Sequence, residues 1–196
     1  MSNLKIDYSL LRCVADLGTP GSRCLGRLSE QGGNLVCNQC AQRYRVVDGI
    51  PVLKTEELSG DDWFERVYCG RSREEEVRSD YLLQERREMS LLLRRFAGRG
   101  ICLEVGCGVG LFADLVPNYV GLEFALSAMR VKGFENFCRI CGDARRIGLA
   151  SESVAMVFSF NTLEHIPEVE EALVEMNRVL APQGYLVLRP ACSSPL

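Results

Sequence analysis

Three glycines within five residues, Gly106, Gly108 and Gly110, follow an apolar run at 101–105 that carries one carboxylate, Glu104. Glycine serves backbone that must take positive φ or come close to a ligand, so this spacing suits a loop that cradles a small molecule. A dinucleotide fingerprint G-x-G-x-x-G begun at Gly106 requires glycine at position 111, which is Leu111, and no lysine follows as a P-loop demands. Two further acids, Glu123 and Asp143, end the apolar runs VGLE and CRICGD. A carboxylate at the end of a second strand accepts from both ribose hydroxyls, and one after a third strand accepts from an adenine amino group. The set fits an adenosine with a cationic tail and no phosphates.

The elements that must hold these groups are legible in the hydrophobic rhythm. A helix is expected over 80–96, with Leu82, Met89, Leu92 or Leu93, and Phe96 on one stripe, ended by Gly98 and Gly100. Arg86-Arg87 and Arg94-Arg95 on it read as a solvated face balanced by nearby glutamates. Strands are expected at 101–105, 120–124, 137–141, 154–160 and 185–188, with a helix start after the glycine loop and helices at 125–132 and 169–180. Strands alternating with helices imply right-handed crossovers and a parallel sheet covered on both faces, with ligands at the carboxyl ends of the strands. The expected class is α/β with a Rossmann-like sheet.

Residues 1–55 read as a small β-rich domain of their own, 56–79 as a polar linker anchored by Trp63-Phe64, and 80–196 as the Rossmann-like domain. Cys37-Asn38-Gln39-Cys40 is a C-x2-C knuckle, and Asp48-Gly49 supplies hairpin turn chemistry between two apolar runs. Tetrahedral Zn²⁺ needs four ligands, and Cys13 and Cys24 complete the set, although ten residues separate them. The alternative is a metal-free β unit with buried thiols. LRC, CLGRL, CNQC and YRVVDGIPVL resemble the zinc-binding domain of the tRNA-methyltransferase activator family, which also occurs fused in front of bacterial methyltransferases. That family has a close first cysteine pair; this chain has a split one.

A second resemblance covers about residues 80–190. LEVGCGVG, GLEFALSAM, GDARRI and the run from SESVAMVFSFNTLEHIP to RVLAPQGYLVLRP are similar to the motifs of class I S-adenosylmethionine-dependent methyltransferases of type 11. The resemblance implies that Glu104, Gly106, Gly108 and Gly110 border the methionine tail and ribose, that Glu123 and Phe124 meet the ribose side, that Asp143 and Ala144 meet the adenine, and that Asn161 lies beside the cofactor. Ala155 stands where the family usually has aspartate. His165, the single histidine, follows the fourth strand as a candidate general base or as a residue that shapes the loop before Pro167. Cys107 reads as a small packing residue, and Cys138 and Cys141, on one strand, face opposite ways and make no redox pair.

Bulk properties bound the rest. The net charge is −3, so no global positive field gathers nucleic acid. Only Lys5, Lys54 and Lys132 are lysine among 23 basic residues. No apolar run approaches the roughly 20 residues that span a bilayer and no signal pattern opens the chain, which points to a cytoplasmic protein without membrane contact. The methyl acceptor implied is an RNA base or a small molecule. The family continues after the fifth strand into an antiparallel pair, whereas this chain stops six residues after Pro190. A protein partner on the uncovered edge, or an inactive truncated or scaffold protein, is the expectation from that difference.

Overall fold

The computed structural model describes residues 6–18, 22–54, 65–66, 68, 70–78, 80–98 and 100–190. The Trp63-Phe64 anchor and half of the segment read as a linker lie outside the described residues. Nine strands form one sheet in the order β1-β2-β3-β4-β7-β6-β5-β8-β9. Four belong to the N-terminal unit: β1 (Leu28–Gln31), β2 (Asn34–Cys37), β3 (Arg43–Val47) and β4 (Ile50–Leu53). The other five are β5 (Cys102–Val105), β6 (Tyr119–Glu123), β7 (Cys138–Gly142), β8 (Val154–Phe160) and β9 (Leu180–Arg189). The helices are α1 (Arg73–Val77), α2 (Asp80–Phe96), α3 (Leu126–Met129) and α4 (Val169–Val179).

Strands β1 to β4 are an antiparallel meander, turned at Asp48 and Gly49, whose positive φ values of 51° and 78° give the tight turn expected there. Strand β4 then pairs parallel with β7, Val52 beside Cys141 and Leu53 beside Gly142. The meander and the Rossmann-like sheet are therefore one hydrogen-bonded surface. From β4 to β9 every pairing is parallel.

Side chains alternate between two cores, as the pleat requires. Leu53, Leu103, Val105 and Val157 face one core, with Ala172, Met176 and Val179 of α4 and the N-terminal Leu11 and Val14. Val52, Cys102, Met156, Phe158 and Phe160 face the other, under Leu93 of α2 and the glycine-loop segment. Leu93, not Leu92, is the core-facing choice on α2; Leu92 lies on the exposed side. Helix α4 also buries Glu175, which accepts from the Ile147 N–H at 2.9 Å and pairs with Arg178 at 2.7 Å and Arg23 at 3.1 Å. Arg23 thereby ties the N-terminal unit to α4.

Three expectations need correction. No helix follows the glycine loop: 108–118 is a run of turns closed by short-range bonds, Ala113 N–H to Gly110 O and Leu115 N–H to Phe112 O. Positive φ at Gly106, Gly108 and Gly110, then Pro117 and left-handed Asn118, bound residues 111–116 with backbone that does not continue a helix. The helix expected over 125–132 contracts to Leu126–Met129. Strand β9 begins at Leu180 and runs through the Pro182-Gly184 turn, with Gln183 at φ 64°. Among the described residues β9 has β8 as its only strand neighbour, and Tyr185 and Leu186 on it are exposed.

Candidate functional site

The carboxyl ends of β5, β6, β7 and β8 converge, and the loop after β5 is the centre of the convergence. Gly106 and Cys107 donate their N–H groups to Leu122 O at 2.9 and 3.1 Å, which folds the loop back onto β6. Glu123 completes the closure: Oε2 accepts from Gly108 N–H at 2.9 Å and Oε1 from Ala125 N–H at 3.0 Å. Burial raises the Glu123 pKa, opposed by these backbone donors. The glycines have unequal reasons. A Cβ on Gly106 would lie 2.1 Å from Thr162 Cγ2, and one on Gly110 would lie 2.2 Å from Phe134 Cε2, so both are set by protein packing. A Cβ on Gly108 would lie 3.2 Å from the Tyr68 hydroxyl, which makes Gly108 the glycine that faces a covering side chain.

Glu104 lies beneath the loop. Its register partner Gly121 has no side chain, and a Cβ there would lie 2.7 Å from Cys107 Sγ and 2.9 Å from the Tyr119 hydroxyl. That space lets Tyr119 donate to Glu104 Oε2 at 2.5 Å. Burial pushes the Glu104 carboxyl up to about 8, with the nearby Glu123 adding to the rise and Tyr119 opposing it. Cys107 is buried and its thiol is pushed well up by burial, in keeping with a packing role.

Asp143 follows β7 and is almost fully buried. It accepts from the Arg145 backbone N–H at 2.8 Å and from the Arg145 guanidinium at 2.8 to 3.2 Å. Arg145 also reaches Glu168 at 2.5 Å. Ala144 opens the 3-10 turn Ala144–Arg146 beside it. Asn161 ends β8 in a left-handed conformation, φ 51°, and its side-chain amide donates to buried Glu85 Oε1 at 2.6 Å. Arg189, at the end of β9, joins the same Glu85 oxygen at 3.1 Å. His165 ends the 3-10 turn Leu163–His165 and is exposed.

Residues outside the sequence motifs close this region from above. Arg73 of α1 donates to Gly110 O at 3.0 Å and pairs with Asp114 at 2.5 Å. Arg86 of α2 binds Leu111 O and the same Asp114. This corrects the reading of Arg86 as a solvated charge: it clamps the glycine-loop segment. Glu65 accepts from Leu126 and Ser127 N–H, each at 2.9 Å. None of these carries a local pattern, because each acts across tens of residues.

The four N-terminal cysteines converge separately. Cys13 N–H donates to Gly26 O and Cys24 N–H to Ala15 O, each at 2.9 Å, so the excursion between them folds back and sets the two thiols together. The sulfurs of Cys13, Cys24, Cys37 and Cys40 all lie within 4.8 Å of one another, with Cys13 to Cys40 and Cys24 to Cys37 at 3.5 Å. Tetrahedral zinc thiolates have sulfurs about 3.8 Å apart, so the cluster fits that ion. Burial raises the Cys37 thiol, but backbone N–H groups of Cys40 and Gln39 outweigh it and bring the pKa to about 7. The Tyr44 hydroxyl accepts from Val14 N–H at 3.0 Å and lies 3.1 Å from Cys13 Sγ.

Comparison with known proteins adds to this geometry. Residues 103–188 match the family described as the methyltransferase domain. The match spans the loop, Glu123, Asp143 and Asn161. The malonyl-[acyl-carrier protein] O-methyltransferase of Methylovorus sp. strain MP688 is 28% identical over 102 residues, covering 43% of this chain and 34% of that protein. A probable S-adenosylmethionine-dependent methyltransferase of Mycolicibacterium smegmatis is 32% identical over 107 residues, covering 50% of this chain and 41% of that protein. The chain spans between about a third and two fifths of the length of the curated relatives it matches. In fold, the chain is similar to phosphoethanolamine N-methyltransferase 1 of Haemonchus contortus, solved with phosphoethanolamine and S-adenosylhomocysteine. That likeness has a TM-score of 0.54 and 21% identity, covering 68% of this chain and 33% of the other.

Proposed function

We propose that the chain binds S-adenosylmethionine at the carboxyl ends of β5 to β8 and transfers its methyl group to an RNA base or a small molecule. The observation that carries the reading is the bond from Gly108 N–H to Glu123, inside the stretch that matches the methyltransferase domain. It joins the glycine loop and the second-strand acid into one cradle. The bound sulfonium supplies an already electrophilic methyl, so the chain's task is in-line positioning of the acceptor. Glu123 holds the ribose hydroxyls, Phe124 flanks them, and Asp143 and Ala144 take the adenine edge. Glu104, Gly106 and Gly110 shape the floor and turns of the loop. Asn161, held by Glu85, borders the acceptor side, and exposed His165 is the candidate base for an acceptor that must lose a proton.

Structural zinc on Cys13, Cys24, Cys37 and Cys40 completes the reading, supported by the convergence of four sulfurs. No helix of the described residues is long and apolar enough to cross a membrane, and a cytoplasmic setting belongs to the same proposal. So does a protein partner along β9, supported by the exposure of Tyr185 and Leu186. Isothermal titration with S-adenosylmethionine tests the central claim. Wild type binds and Glu123→Ala loses affinity at least about tenfold, the scale of one lost charge-assisted contact; no binding at high micromolar ligand, or an unchanged Glu123→Ala, overturns it.

A further inference from the structure

Lys54 is the first residue after β4, and its side chain is 13% exposed. Its Nζ donates to Phe124 O at 2.7 Å, lies 4.3 Å from the centroid of the Phe124 ring, and stands 3.8 Å from Glu65 Oε1. A carbonyl, a ring face and a carboxylate are what a largely desolvated ammonium needs. The carbonyl of Phe124 also accepts from Cys141 Sγ at 3.4 Å, so it is fixed from two sides. Phe124 lies between Glu123 and Ala125, the donor to Glu123 Oε1. Whatever holds the Phe124 carbonyl therefore holds the geometry of the Glu123 carboxylate.

The register shows why the N-terminal unit reaches this point. Leu53 pairs with Gly142, so Lys54 stands beside Asp143 at the next step of the parallel pair. The row of strand ends then reads Lys54, Asp143, Glu123 with Phe124, the glycine loop, and Asn161. The outermost member comes from the cysteine-bearing unit, and the hydrogen-bonded β4–β7 pair sets its place.

We propose that Lys54 is a positioning residue of the cofactor site, holding the Phe124 carbonyl and ring so that the 123–125 turn presents its adenosine-facing wall. The N-terminal unit is then part of the cofactor site. The inference rests on the methyltransferase reading given above and extends it to a residue outside the matched family stretch.

The test uses the full chain and S-adenosylhomocysteine or free adenosine as probes. Lys54→Met keeps the stem and removes the ammonium, and Lys54→Arg keeps charge and donors. Calorimetry is expected to show about tenfold weaker binding of both probes to Lys54→Met, the scale of one charge-assisted contact. Lys54→Arg recovers part of the loss, and the unfolding midpoints of the ligand-free variants stay within about 2 °C of wild type, as for a contact replaced without a cavity. Unchanged affinity in Lys54→Met overturns the proposal. So does a loss that follows destabilisation and is not rescued by Lys54→Arg, which marks a purely structural residue. If wild type binds neither probe, the methyltransferase reading itself falls and takes this proposal with it.

Discussion

The Tyr119 hydroxyl donates to Glu104 Oε2 across 2.5 Å, with both side chains closed off from solvent. Burial lifts the Glu104 carboxyl from 4.5 to about 8, so the folded chain holds a proton there that the unfolded chain releases. That stabilisation is fully present below pH 4.5 and is lost as the pH rises to about 8. Where it changes, the slope is up to about 1.4 kcal/mol per pH unit. Glu104→Gln cannot titrate. In urea unfolding of the ligand-free chain, the variant should gain on wild type by several kcal/mol, in order of magnitude, between about pH 5 and pH 8. A stability difference that stays constant over that range refutes a protonated Glu104.

Gly106 is required by Thr162. A Cβ at position 106 would lie 2.1 Å from Thr162 Cγ2, on backbone with φ of 73°. Gly106→Ala should cost about 2–4 kcal/mol, part from the clash and about 1 kcal/mol from the left-handed backbone. Adding Thr162→Gly removes the clash and leaves the backbone cost together with the lost Thr162 bond to Gly106 O. Chemical denaturation of the two variants separates the shares, and a double variant no more stable than Gly106→Ala alone contradicts this account.

Removal of metal should unfold the N-terminal unit locally and weaken the whole. Purified chain is expected to carry one zinc, and Cys37→Ser should carry none. A structural site of this kind binds with about 10–16 kcal/mol of apparent free energy, and loss of a ligand forfeits much of it. Elemental analysis with thermal unfolding checks this, and a wild-type chain purified without zinc counts against the site.

Asp114 is shared by Arg73 of α1 and Arg86 of α2, which ties both helices to the glycine-loop segment. Its side chain is 46% exposed, so each ion pair is worth only about 0.2–1 kcal/mol after solvent screening. Asp114→Ala should therefore leave the unfolding midpoint nearly unchanged and speed amide exchange across α1 and α2. Unaltered exchange there shows that other contacts hold the helices.

Much of this architecture was readable because it is local. Leu93 and Phe96 on α2, and Ala172, Met176 and Val179 on α4, repeat at the spacing of one helix face. Strand β8 coincides with the apolar run at 154–160. The missing helix after Gly110 was obscured because apolar Leu111, Phe112 and Val116 look alike in a helix and in buried turns; Pro117 and Asn118 were the signal that helical backbone does not run through. The approach of Cys13 to Cys24 depends on backbone bonds across a loop that composition does not encode. Lys54, Glu65 and Arg86 act on partners 25 to 70 residues away, a separation no sequence window samples.

The pairing of Val52 with Cys141 joins residues 89 positions apart in the chain. During synthesis the N-terminal unit with its four cysteines leaves the ribosome well before β7, so that unit can close on its own contacts first. Its last strand keeps one unpaired side until residues 138–142 appear. Between those moments β4, apolar on both faces, is open to other strands. Order of emergence thus becomes a hazard as well as a route: slow delivery of β7 prolongs the exposure of a sticky edge, and early seating of β4 ends it.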